Sequence, residues 1–327
     1  MHDIVPVIAG NQQLLSELKQ MRQGSHMPHA LLLHGETGCG KKLIAKWFAM
    51  LALCENQGDA PCGECRSCKL IANDAHPDVL TAEHSGKRMG YLIETVREIR
   101  REAAILPSEG SSRIFLFTDA DGMSIQAQNA LLKSVEEPPP HAIFVFTTET
   151  VGALLPTLLS RMTTKAVFPV TRGECVTALL RKGYDEISVQ SAVSRFDGNI
   201  GKCEAYLSDE GLRQAADDAA NLTAALAKRN EYELLHILTV AAGDKDRLRR
   251  TLLLLDTQLR DAAAFTLEGE FDRLGCDKTA AEALSVSITP RRAMRMHQAV
   301  TEAVSDLDGN VGAVLAATAL CAALSAI

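Results

Sequence analysis

Gly35-Glu36-Thr37-Gly38-Cys39-Gly40-Lys41-Lys42 is the stretch on which the reading of this chain turns. It follows an apolar run, Ala30-Leu31-Leu32-Leu33, and precedes a helical pattern from Ile44 to Leu51. Strand, glycine-rich turn and helix form the context that a phosphate-binding loop requires. The glycines let backbone N–H groups converge on one point, the helix adds its positive dipole end, and Lys41 adds a full charge. Gly35, Gly38, Gly40 and Lys41 are therefore the candidate nucleotide-binding residues. A hydrolysing loop follows its lysine with Ser or Thr, whose hydroxyl holds Mg²⁺. Here that place is taken by Lys42, which cannot ligate a cation. The loop reads as inherited from an NTPase, with ATP expected to bind weakly or not at all.

Working outward, Leu14, Leu15, Leu18 and Met21 lie at helical spacing ahead of the first strand. On the other side, the helix after the loop runs to Cys54, where a compact insertion over residues 54–68 begins. Cys54, Cys62, Cys65 and Cys68 give the spacing C-x7-C-x2-C-x2-C. Two overlapping C-x2-C steps and a fourth thiol suit tetrahedral Zn²⁺, with Gly63 permitting a tight knuckle. Four protein ligands leave no open position for water, so such a site is structural. An iron–sulfur cluster also uses four thiolates and is the competing reading.

Composition sets the class. The 327 residues suffice for two or three domains, and 46% hydrophobic content supports real cores. A net charge of −7 and a pI near 5.8 argue against binding nucleic acid through a broad basic face, while leaving room for modest contacts within an assembly. The nine cysteines cluster as metal ligands do, not as a spread disulfide framework. No apolar run approaches a membrane span, and a signal-peptide pattern is lacking, so a cytoplasmic protein is expected.

Beyond His76-Pro77-Asp78, a short strand near Val79-Leu80 leads to a helix over roughly 92–106. Arg113 to Phe117 reads as a strand ending at Thr118-Asp119-Ala120-Asp121, where a P-loop NTPase keeps its Walker B Asp and catalytic Glu. A helix from Ala127 to Glu137, a strand over 142–146, a short helix into Ser160-Arg161-Met162 and a strand over 165–168 follow. Alternating strands and helices imply a parallel sheet covered on both faces, with the loop and the acidic strand end at its carboxyl edge. Past a linker at 169–171 the pattern turns helical. A small module over 172–208 is broken at Asp197-Gly198-Asn199, and helices fill the rest. His236 and His297 read as ordinary helix residues. The fold class is α/β followed by all-α.

Taken together these motifs resemble the clamp-loader branch of the AAA+ ATPases. The residues that carry the resemblance are 28–33, the loop to Lys41, the four-cysteine insertion, His76-Pro77-Asp78, the run Asn129-Ala130-Leu131-Leu132-Lys133-Ser134-Val135-Glu136-Glu137-Pro138-Pro139, and Ser160-Arg161. The resemblance implies an AAA+ domain over 1–170, a helical lid over 171–208 and a helical collar over 209–327 that assembles the complex. It implies a subunit of the loader of a bacterial replicative polymerase, in a ring with ATPase subunits and a delta subunit. Sliding clamp and primer-template DNA would be met through that complex. It also places an arginine finger, reaching a neighbour's γ-phosphate, at Arg161. The chain departs from active members at Lys42, at Thr118 in the Mg²⁺-binding Asp position, and at Gly201 in the sensor 2 arginine position. These departures favour a non-hydrolysing assembly subunit over an active ATPase paralogue. A P-loop kinase with a zinc lid fits neither the missing hydroxyl nor the long helical block.

Overall fold

The computed structural model describes residues 5–24, 26–56, 58–82, 84, 90–266 and 277–327. It divides into two compact units, residues 1–170 and 171–327.

The first unit is built on five parallel strands: β1 (Ala30–His34), β2 (Val79–Thr81), β3 (Arg113–Phe117), β4 (Ala142–Thr148) and β5 (Thr163–Ala166), in the order β2-β3-β4-β1-β5. Helix α1 (Gln12–Gln23) precedes them, and between them run α2 (Lys41–Leu53), α3 (Arg66–Ala72), α4 (Ile93–Ala103), α5 (Ile125–Glu136) and α6 (Pro156–Leu159). Strand periodicity of two divides the core. Leu31, Leu33, Ile114, Leu116, Ile143 and Val145 face a layer containing α1 and α2. Leu32, Phe115, Phe117, Phe144 and Phe146 face the opposite layer with α4 and α5. There Phe115 stacks on Phe144 and Phe117 on Phe146, with centroids 5.3 and 4.9 Å apart. Apolar residues at both parities give β1, β3 and β4 their continuous runs, as strands covered on both faces require.

Among the boundaries that differ from the sequence expectation, two have a direct physical reason. Helix α5 starts at Ile125 rather than Ala127, because the Ser124 hydroxyl accepts the Ala127 amide at 3.2 Å and caps the first turn. The last strand is Thr163–Ala166, not 165–168. Its register is set by β1, from Leu31↔Thr163 to His34↔Ala166, and at an edge that pairing needs no apolar residues.

The second unit is helical throughout its described residues. Helices α7 (Arg172–Arg181), α8 (Glu186–Phe196) and α9 (Ile200–Ser208) pack around Cys175, Leu179, Val193, Phe196 and Cys203. Helix α7 opens with a reciprocal capping box between Thr171 and Glu174. Asp209 both ends α9 and caps α10 (Glu210–Lys228). Then come α11 (Glu231–Ala241), α12 (Lys245–Phe265), α13 (Lys278–Ser285), α14 (Pro290–Asp308) and α15 (Ala313–Ala326). Their core is a leucine ladder, Leu248, Leu252, Leu255 and Leu259 of α12, against Leu222, Leu226, Met296 and Val300. His297 bonds to Asp256 on the neighbouring helix, a bundle contact in keeping with its reading as an ordinary helix residue. Residues 267–276 of the expected collar segment lie outside the described residues. Among the described residues, no helix is long and apolar enough to cross a membrane.

Candidate functional site

The loop between β1 and α2 lies at the carboxyl edge of the sheet, beside the end of β3. Gly35 is required by close approach. A Cβ there would come within 2.1 Å of the Val167 carbonyl, on the stretch that continues β5. Gly40 caps α2 at φ 89° and, having no side chain, contributes no capping acceptor of its own to the first-turn amides. Lys41 is buried, 6% exposed, and its ammonium donates to the carbonyls of Gly35 at 2.6 Å and Glu36 at 3.0 Å. Burial lowers its pKa; the acids Glu149, Asp119 and Asp121 work against that shift. Gly35, Gly38, Gly40 and Lys41 thus lie on one turn, with the lysine head on the Gly35 and Glu36 carbonyls.

Lys42 points elsewhere. Its ammonium pairs with the Asp119 carboxylate at 2.5 Å, with both side chains more than half exposed. The residue after the loop lysine and the acid after β3 are therefore in contact with each other. Asp119 itself adopts φ 51° and donates its amide to Thr147 Oγ1 at 2.9 Å. Thr118 is engaged away from the loop. Its carbonyl accepts the Tyr91 hydroxyl at 2.5 Å, and its Oγ1 lies 3.3 Å from His84 Nε2. Asp121 accepts from the Thr148 hydroxyl at 2.6 Å and from the amides of Glu149 and Thr150. Burial alone would raise its pKa, yet these donors outweigh it and hold the carboxyl below its ordinary value. Tyr91, 1% exposed, has its hydroxyl pushed up to about 12 by burial. His84, Tyr91 and Thr148 went unread in the sequence, since nothing in their local pattern marks them and only the sheet edge brings them together.

Arg161 follows α6. Its guanidinium donates to Glu136 at 2.8 Å, to the Thr157 carbonyl at 2.8 Å and to Ser160 Oγ at 3.2 Å. Its side chain is 35% exposed, and these partners come from α5 and α6 rather than from the loop. Gly201 lies in the first turn of α9 in the helical unit, where Asn199 caps the Lys202 amide.

The four cysteines converge. One Sγ from each of Cys54, Cys62, Cys65 and Cys68 lies within 4.8 Å of all the others. A tetrahedral zinc with Zn–S near 2.3 Å has sulfur–sulfur edges of about 3.8 Å, so the thiols need draw in by only about 1 Å at the widest pair. The Cys62, Cys65 and Cys68 amides point at the sulfurs of Cys54, Cys62 and Cys65, each at 3.4 Å. Amides of Cys65 and Glu64 bring the Cys62 thiol down to about 7, whereas burial pushes Cys54 and Cys68 up. Two thiolates that burial disfavours and amides aimed at sulfur fit a metal that supplies the missing positive charge. Gly63 turns the knuckle at φ 73°. Around it, Glu55 accepts both the amide and hydroxyl of Ser67 at 3.1 Å, and Arg22 holds the Cys54 carbonyl at 2.7 Å.

Comparison with known proteins adds the family. Residues 10–170 match the family profile described as "DNA polymerase III, delta subunit". The DNA polymerase III subunit delta′ of Pseudomonas aeruginosa is 34% identical over 167 residues, 51% of this chain and 49% of that protein. The gamma/tau subunit of Mycobacterium tuberculosis is 31% identical over 226 residues, 67% of this chain and 39% of that protein. A gamma subunit-related protein from Thermotoga maritima has a solved structure that aligns with 94% of this chain and 98% of its own at 16% identity and a TM-score of 0.41. The chain spans about half the length, or less, of these curated relatives. Over residues 10–170, which carry the phosphate loop, the cysteine knuckle and the parallel sheet, this chain belongs to the delta-prime family of DNA polymerase III clamp-loader subunits.

Proposed function

We propose that the chain is a ring subunit of the polymerase III clamp loader that does not hydrolyse ATP itself and donates Arg161 to the ATP site of a neighbour. The observation that carries this reading is the Lys42–Asp119 ion pair at 2.5 Å. In an active site the first position offers a hydroxyl to Mg²⁺ and the second a general base. Here an ammonium occupies one and neutralises the other. Thr118, turned toward His84 and Tyr91, offers no carboxylate in the place of the metal-binding Asp. The loop amides and Lys41 still suit a weakly held anion, but no group at these positions would gather Mg·ATP productively. Gly201, where a sensor 2 arginine would act, removes a further charge contact.

Arg161 has its own use in this reading. Glu136 and the Thr157 carbonyl hold the guanidinium at the end of α6 while leaving it partly open to solvent. A guanidinium supplied across an interface compensates charge that develops on the γ-phosphate, and is worth orders of magnitude in rate. The four cysteines hold one structural Zn²⁺ and pin the knuckle on α2 and α3. The 1–170 unit is the AAA+ domain, 171–208 the lid and 209–327 the collar. In the last segment, Tyr232 (80% exposed) of α11 and Leu315 (67% exposed) of α15 offer apolar surface for assembly, on two helices that pack together. The partners are the ATPase subunits and the delta subunit, with clamp and primer-template DNA met through the ring.

The test is a paired substitution in a loader reconstituted from purified subunits. Arg161→Ala is expected to lower DNA- and clamp-stimulated ATP turnover while ring assembly is retained, and Lys41→Ala to change turnover much less. The reverse order, with Lys41 dominant, would establish an active ATPase instead.

A further inference from the structure

In the helical unit several arginines have carboxylate partners: Arg172 with Asp197, Arg195 with Asp217, Arg247 with Asp218, Arg249 with Asp308, Arg250 with Asp209 and Arg260 with Asp256. Arg229 and Arg292 do not; among the described residues, no ion pair joins either to a carboxylate. Both line one pocket of about 360 Å³, formed where the end of α10 and the start of α11 meet α14 and α15. The Arg292 Nε is buried with no hydrogen-bond partner, the kind of orphaned donor that a ligand satisfies. Arg229 ends α10 at φ 54°, a left-handed conformation uncommon for a residue of its size. Burial comes first in lowering the Arg292 pKa, and the like charges of Arg229 and Arg295 add to it. An anion placed between the guanidinium groups would relieve the repulsion and fill the orphaned donor at once.

The rest of the lining narrows the chemistry. Leu226, Leu234 and Leu324 give the pocket an apolar wall, and Glu231 is the one acidic side chain in the lining. Two guanidinium groups stand against one acidic side chain and three leucines, a setting for an anionic group joined to an apolar one. Guanidinium forks match the two oxygens of a carboxylate, and a pocket of this volume is at the scale of a small-ligand site. We propose that this pocket binds a carboxylate carried on an apolar group, its oxygens on Arg229 and Arg292 and its apolar part against Leu226, Leu234 and Leu324.

The probe is 4-methylpentanoate, titrated into the full chain by calorimetry and followed by the shift in melting temperature. Saturable binding is expected, with 4-methylpentanamide and inorganic phosphate failing to saturate. Arg229→Ala, at an exposed position, and Arg292→Lys, which keeps the charge and the buried stem, should each weaken binding at least about tenfold, as the loss of one charge-assisted hydrogen bond does. A free acid and the carboxyl end of a polypeptide share this chemistry. Tighter binding of N-acetyl-glycyl-leucine than of 4-methylpentanoate identifies the polypeptide source, and the opposite order the free acid. No saturation by either carboxylate, equal binding of the amide, stronger binding of phosphate, or affinity unchanged in both variants overturns the proposal.

Discussion

Asp78 offers the most direct test of what positions the loop site. Its side chain is fully buried, and its two oxygens accept the amides of Ser108, Glu109 and Gly110 at 2.6, 2.8 and 2.8 Å. It thereby ties the start of β2 to the turn that launches β3, the strand that delivers Thr118 and Asp119. Replacing Asp78 with Ala removes three charge-assisted bonds, each worth about 1.5–3 kcal/mol when the donors stay dry. Ser108 and Glu109 are exposed, so water re-satisfies part of the loss, and the total falls to about 3 kcal/mol. Arg113 keeps Glu102 at 3.0 Å, which limits the cost of the missing acid 3.9 Å away. Asp78→Asn, with one acceptor left, should lose about half as much. The assay is urea unfolding of the full chain, together with amide exchange over 108–110. Three kcal/mol corresponds to roughly 150-fold faster exchange where local opening governs it. Burial alone would raise the Asp78 pKa, but the three amides hold it below its ordinary value. Because the folded value is depressed, the stabilisation is complete above the unfolded carboxylate value and is lost as pH falls through the folded one. The gap between wild type and Asp78→Ala should therefore narrow in acid. Unfolding within about 0.5 kcal/mol of wild type, with the three amides still protected, would refute the reasoning.

Other outcomes follow from the same geometry. Cys68→Ser should lower bound zinc, measured by elemental analysis, from one per chain to well below one; a brown, absorbing wild-type sample would instead mark an iron–sulfur cluster. The double change Lys42→Thr with Thr118→Asp restores a hydroxyl and a carboxylate where Mg²⁺ is held, so Mg²⁺-dependent nucleotide binding should appear by calorimetry where Lys42→Thr alone gives none. Tyr232→Asp on α11 should leave the melting temperature of the isolated chain within a few degrees, since the side chain is 80% exposed, yet reduce co-purification with the ATPase subunits.

Much of the fold was legible because its signals are local. The apolar runs of β1, β3 and β4 and the glycine turn ahead of α2 read as a phosphate-loop unit without any distant contact. The cysteine spacing likewise announced a four-thiol cluster, since ligands two residues apart meet in one knuckle wherever the rest of the chain goes. The edge strand was misplaced by two residues because its pairing, not its composition, sets its limits.

The tertiary structure decided the relations between residues far apart in the chain. Lys42 in place of a hydroxyl is a fact of sequence, but its pairing with Asp119, 77 positions on, exists only because β1 and β3 end at one sheet edge. Thr118 held by Tyr91 and His84, and Arg161 held by Glu136, are of the same kind. So is the pocket of Arg229 and Arg292, which comes from how four helices meet. Periodicity and spacing report what a residue does within its own turn or strand. Which charge finds which partner is fixed by packing, where burial makes an unmatched group costly and so selects the neighbours that each side chain keeps.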